Sequence, residues 1–207
     1  VDPSWWVAIQ NKEDMKTIVI HEVKKEFFNT PLEKYNLTFD DGLYSQYYYW
    51  PLIKKIKTPK IFFITTNLIG NGPKRQQFDG DYKEFSSCYE SLATFRKSGN
   101  NKNYMRLSEL KSMVKDGAGL GGHGHNHIEH YEGSLFNQVN VMRKDIDSMI
   151  SWFKENLGFT PKDYAYPHYE DPLFLKILLN GYYGFERLYG RERIEIEKEE
   201  NIFSNVR

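Results

Sequence analysis

From Leu37 to Thr65 an apolar strand, a helix and a second apolar strand follow one another at the spacing of a β-α-β unit. That spacing is the mark of a parallel sheet and limits the fold more than any other feature. Leu37-Thr38-Phe39-Asp40-Asp41-Gly42 is the first strand, running into two adjacent carboxylates and a glycine. Tyr47 to Ile56 reads as the helix, carrying Trp50, Leu52, Ile53 and Ile56, with Pro51 limiting where it begins. Lys60 to Thr65, with Ile-Phe-Phe-Ile at its centre, closes the unit. Upstream, Lys16-Thr17-Ile18-Val19-Ile20-His21 reads as another buried strand, with a histidine at its C-terminal end. An α/β protein keeps its site at the C-terminal edge of such strands. Adjacent residues on an extended chain face opposite sides, so Asp40 and Asp41 are expected to point apart and do different jobs. One would bind a metal while the other faces a reacting water. A plain Asp-Asp-Gly turn fits the same residues.

Further on, Asn67 to Gly80 reads as a surface loop and Phe85 to Lys97 as a helix. Leu107 to Lys115 is an amphipathic helix, with Ser108 as its N-cap and Gly117 as its stop. Leu135 to Leu157 forms a long one closed by Gly158. Tyr164 to Pro167 is a strand and turn, and Leu173 to Leu179 a last helix before a charged tail from Glu186 to Glu200. The segment before Met15 fits either a first strand or a packed arm.

At 207 residues the chain is expected to form one domain, residues 1–207. Basic and acidic residues balance at 28 each, which argues against steering toward nucleic acid or an anionic membrane by bulk charge. Aromatic residues reach 16%, enough to stack on sugar rings as well as to pack a core. Cys88 is the single cysteine, so no internal disulfide forms, and its sequence neighbours offer neither base nor positive charge to activate a thiol. No apolar run reaches the length of a membrane span. No signal peptide is visible, which leaves the compartment open with the cytoplasm slightly favoured.

Four of the 6 histidines crowd into Leu120-Gly121-Gly122-His123-Gly124-His125-Asn126-His127-Ile128-Glu129-His130. His123 and His127 converge if the backbone makes one helical turn, and the preceding glycines allow close approach. His125 would then point away, with His130 a second choice. Neutral imidazole is a good ligand for zinc and its neighbours. A carboxylate with two histidines leaves positions for water, which is a catalytic arrangement. A solvated histidine-rich turn fits the same stretch.

Together, Thr38-Phe39-Asp40-Asp41-Gly42, Leu120 to His127, and Tyr164-Ala165-Tyr166-Pro167-His168 resemble the three motifs of the polysaccharide deacetylase family, the NodB-homology domain. The resemblance implies a distorted, incomplete (β/α) barrel. It implies that Asp40 is the catalytic base and that Asp41, His123 and His127 hold a divalent metal, zinc favoured and cobalt or nickel possible. His168 would supply a backbone N–H to an oxyanion. Ile18 to His21 resembles the histidine strand that most members carry near their C-terminus, here moved to the front, which makes His21 the general acid. Gly124 stands where a Ser or Thr is usual, Tyr169 where a glycine is usual, and Ala165 where many members carry an arginine that orients the base. Arg207 is the candidate to replace that arginine. The implied activity is metal-dependent removal of an N-acetyl group from an amino sugar or glycan. The alternatives are another acyl group on a sugar-nucleotide or lipid-linked intermediate, and a catalytically dead carbohydrate-binding homologue.

Overall fold

The computed structural model describes residues 15–77 and 85–195. Its centre is one seven-stranded sheet in which every pairing is parallel. The chain begins with β1 (Thr17–Ile20) and β2 (Asn36–Phe39), the latter running into the acidic pair. The expected single helix after Gly42 is two short ones, α1 (Tyr44–Tyr48) and α2 (Trp50–Ile53), broken at Tyr49 because Pro51 cannot continue a helical ladder. β3 (Lys60–Ile64) follows, then α3 (Cys88–Ser98) and α4 (Leu107–Lys115). The cap of α4 is Arg106, while Ser108 instead bonds the Gly72 carbonyl at 2.7 Å, which corrects the expected Ser108 cap.

β4 (Gly119–Gly122) has almost no strand propensity of its own and is a strand because β3 and β5 flank it. A Cβ on Gly121 would lie 2.4 Å from the Phe63 ring, and one on Gly122 would lie 2.6 Å from the Met149 sulfur. Only glycine permits that approach. α5 (Leu135–Leu157) lays Met142, Ile146, Met149 and Phe153 on the sheet and ends at Gly158, whose φ is 80°. β5 (Asp163–Ala165) and α6 (Leu173–Ile177) come next. Within the charged tail lie two strands that its composition hid, β6 (Arg187–Tyr189) and β7 (Ile194–Glu195).

The strand order is β6-β5-β4-β3-β2-β1-β7. The sheet curls into an incomplete barrel, with β6 and β7 unpaired to each other among the described residues. β1 sits beside β2, so the end of β1 and the acidic pair share one mouth of the barrel. Among the described residues no helix is long and apolar enough to cross a membrane. The expected arm before Met15 and the Arg207 end lie outside the described residues.

Candidate active site

The ends of β1, β2, β4 and β5 lead into a pocket lined by His21, Asp40, Asp41, His123, His127 and His168, with Cys88, Tyr89 and Leu92 from α3. A larger cavity of about 510 Å³ opens at the other end of the barrel, among the strand starts Thr17, Asn36, Lys60, Gly119 and Asp163. It contains none of the histidines or the acidic pair, so the candidate site residues belong to the smaller pocket.

Gln46 on α1 ties the first two strand ends together, donating from Nε2 to the Asp40 carbonyl at 2.5 Å and the His21 carbonyl at 2.9 Å. Asp40 is buried, and its Oδ1 accepts from Arg193 Nη1 at 2.7 Å. The same nitrogen reaches Thr38 Oγ1 at 3.3 Å. Burial alone would raise the Asp40 pKa, but the charges of Arg193, His123 and His21 outweigh it and hold the carboxyl below its usual range. Its other oxygen, Oδ2, lies 3.8 Å from His123 Nε2.

Asp41 departs from the expected alternation. Its φ is 73°, so the chain is no longer extended there, and both carboxylates turn toward the histidines. The histidine segment likewise makes no helical turn: positive φ at Gly124 (77°) and His127 (53°) folds it back on itself. A Cβ on Gly124 would lie 2.8 Å from Asp145 Oδ2. Asp145, buried on α5, accepts from the backbone N–H groups of His125 at 2.8 Å and Asn126 at 2.9 Å. The glycine that replaces a Ser or Thr thus makes room for a carboxylate that clamps the loop. Non-glycine residues in this conformation mark strain concentrated at a site.

His123 Nδ1 bonds the Ala165 carbonyl at 2.8 Å, and His127 Nδ1 bonds Glu129 Oε1 at 2.9 Å. A carbonyl and a carboxylate only accept, so both Nδ1 atoms carry hydrogen and each neutral ring presents a lone pair at Nε2. Those Nε2 atoms stand 3.4 and 3.1 Å from Asp41 Oδ1, a buried oxygen with no hydrogen-bond partner among the described residues. Three lone pairs facing one another need positive charge between them. Without a cation, protons must supply it: burial disfavours the His127 imidazolium, yet Asp41 and Glu129 push its pKa up to about 10. Burial would raise Asp41, and the two histidines hold it well below the carboxylate range instead. Glu129, bonded first by His127 and also by Arg96, falls to about 2. Each imidazole oriented through its outer nitrogen is the usual support of a metal ligand. The donor set fits a divalent cation.

Of the residues singled out from sequence, Asp40, Asp41, His21, His123, His127 and His168 all line this pocket. The His21 ring stands edge-on to Tyr169, centroids 6.5 Å apart, and His168 and Tyr169 hold φ values of 55° and 61°. His125 turns away to Thr66 Oγ1 at 2.8 Å, and His130 is exposed. The arginine on Asp40 is Arg193, just before β7, where Arg207 had been the candidate. Sequence reasoning missed Arg193 and Asp145, which stand in no motif and are joined to the site only by folding, and also Gln46 and Glu129, which lie close to the motifs in the chain and were not singled out.

The fold and pocket define an α/β enzyme-like half-barrel with a metal-capable Asp-His-His cluster at its mouth. The sequence matches polysaccharide deacetylase over residues 29–172, and the chain belongs to that family. It is similar in structure to IcaB from Ammonifex degensii, with a TM-score of 0.62 and 18% identity over 92% of this chain and 95% of that one. Streptococcus pyogenes deacetylase PplD in complex with acetate gives 0.54 and 15%, covering 93% and 98%. The BpsB deacetylase domain from Bordetella bronchiseptica gives 0.57 and 12%, covering 93% and 83%. No curated protein sequence matches the chain.

Proposed function

We propose that residues 1–207 act as a single catalytic domain that hydrolyses the N-acetyl group of an amino sugar or glycan, releasing acetate and a free amine. The observation that carries this reading is the convergence of Asp41 Oδ1 with two outward-held Nε2 atoms, beside a second carboxylate that faces them. Asp41, His123 and His127 would hold one divalent ion, zinc first by donor type and cobalt or nickel next. When bound there, the ion supplies Lewis acidity, polarising the acyl carbonyl and acidifying water.

The chain's own residues supply the proton transfers. Asp40, kept ionised by Arg193, accepts a proton at Oδ2 as water attacks the carbonyl carbon. His168 lines the pocket, and its backbone N–H would serve the developing oxyanion. His21 then donates a proton to the amine nitrogen as the C–N bond breaks. The test is acetate release from chitin oligomers and simple acetamido sugars, with metal content measured on the same sample. Metal-dependent acetate release is the expected result. Tight sugar binding without hydrolysis would overturn the enzyme reading in favour of a binding protein, and formate release alone would move the activity to another acyl group.

A further inference from the structure

The pocket contains a second set of convergent donors. His21, Asp41 and Cys88 each offer a ligand atom, and these atoms lie within 4.8 Å of one another. Asp41 belongs to both sets. Cys88 occupies the first turn of α3, which a reciprocal Ser87–Glu90 cap holds in place. The deacetylation steps above use no thiol. A thiolate, an imidazole and a carboxylate form a donor set for zinc and other thiophilic ions, whereas magnesium and calcium prefer oxygen. Two carboxylates besides the cysteine give this corner negative charge. Asp41 is nine-tenths buried, and while its Oδ1 faces His123 and His127, the carboxylate also lies within reach of the His21 and Cys88 donors. The Glu22 carboxylate also lies against this corner, accepting from the Cys88 backbone N–H at 3.1 Å.

We propose that His21, Cys88 and Asp41 form a second, inhibitory site for a thiophilic divalent ion, joined to the first through the shared Asp41 carboxylate. On binding, the Cys88 thiol releases its proton to solvent and forms a sulfur–metal bond. The His21 lone pair that would carry the proton for the leaving amine is taken by the same ion. His21 and Cys88 are only half-buried, and a first ion nearby repels a second, so this site is the weaker of the two. The inhibitory consequence rests on the reading of His21 as proton donor; the binding itself does not.

The experiment titrates the metal-loaded protein with zinc, and separately with cobalt, counting bound ions by equilibrium dialysis. Wild type is expected to take up a second ion after the first, and cobalt to develop a thiolate-to-metal charge-transfer band only with that second ion. Saturating the second site with zinc should lower turnover ~10²–10⁴-fold, the worth of a general acid, while magnesium has no effect. Cys88→Ala, with Cys88→Ser as the gentler change should alanine not fold, is expected to keep the first ion and its activity and to lose the second ion, the band and the inhibition. A second ion retained in the variant, or equal inhibition by zinc, would overturn the proposal. Loss of the tight ion in Cys88→Ala would overturn it too, by placing one ion on the thiol set. A chain that releases no acetate at any zinc level refutes the deacetylase reading alone, because dialysis and the cobalt band still report the second site.

Discussion

Asp40 answers two demands through one carboxyl group: Arg193 holds Oδ1, and Oδ2 is left toward the histidine cluster. Asp40→Asn is therefore expected to keep bound metal and lose about 10²–10⁴-fold in turnover, since it removes a proton acceptor. Asp41→Asn should lose the metal itself, and metal analysis showing the reverse pattern would exchange the two roles. Arg193 is buried, and only its Nη1 is satisfied; Nε and Nη2 have no partner among the described residues. Breaking such a pair by Arg193→Met should cost about 3–5 kcal/mol at neutral pH, read by urea unfolding. The sign with pH follows from the lowered Asp40 pKa. The pair's stabilisation is complete above the ordinary carboxylate range and is lost as pH falls through the Asp40 value in the folded protein. The gap between wild type and variant should close on acidification. With the cation gone, Asp40 takes a proton at higher pH, so the acid limb of the activity profile should move upward. An acid limb that stays in place would remove Arg193 from control of the base.

At the scale of elements, the site depends on strands that approach more closely than ordinary side chains allow. In β4, Gly121 faces the buried Phe63 ring and, at 3.0 Å from its ideal Cβ, the Asp163 carbonyl oxygen. Gly122 faces the flexible thioether of Met149. A ring and a backbone oxygen cannot yield, whereas methionine can change rotamer. Gly121→Ala should thus destabilise by ~1–3 kcal/mol, measurably more than Gly122→Ala; equal losses in thermal unfolding would refute this view of β4. The placement of β1 carries the other element-level prediction. It pairs with β2 from Thr17↔Asn36 to Ile20↔Phe39, which sets His21 beside the acidic pair at the mouth. His21→Ala should lower turnover about 10²–10⁴-fold with the first metal ion still bound at full stoichiometry. Unchanged turnover in that variant would leave His21 as no more than the end of a strand.

Across the whole molecule, the metal-capable cluster joins the end of β2 to the segment after β4, elements separated by most of the first half of the chain. An ion bound only by the folded chain stabilises it by about 2.7 kcal/mol at a hundredfold excess over Kd. Stripping metal with a chelator should lower the unfolding temperature of wild type and leave His123→Ala unmoved; an equal drop in both would place the ion elsewhere. Apolar patterning and the motif residues were readable in the chain itself because they are local: β1, β2, β3, the long α5 and the six pocket residues all follow from short stretches. Folding alone decided the rest. β4 is a strand of glycines with no propensity to announce it, and β6 and β7 are too short and too charged to show an apolar period. The turning of Asp41 toward the histidines needs a positive φ that alternation along an extended strand does not foresee. Arg193 reaches Asp40 across 153 residues of sequence, and Asp145 clamps Asn126 across 19. Contacts of that kind leave no spacing in the sequence, because the distance that matters is set by how the sheet curls and not by how far apart the residues stand along the chain.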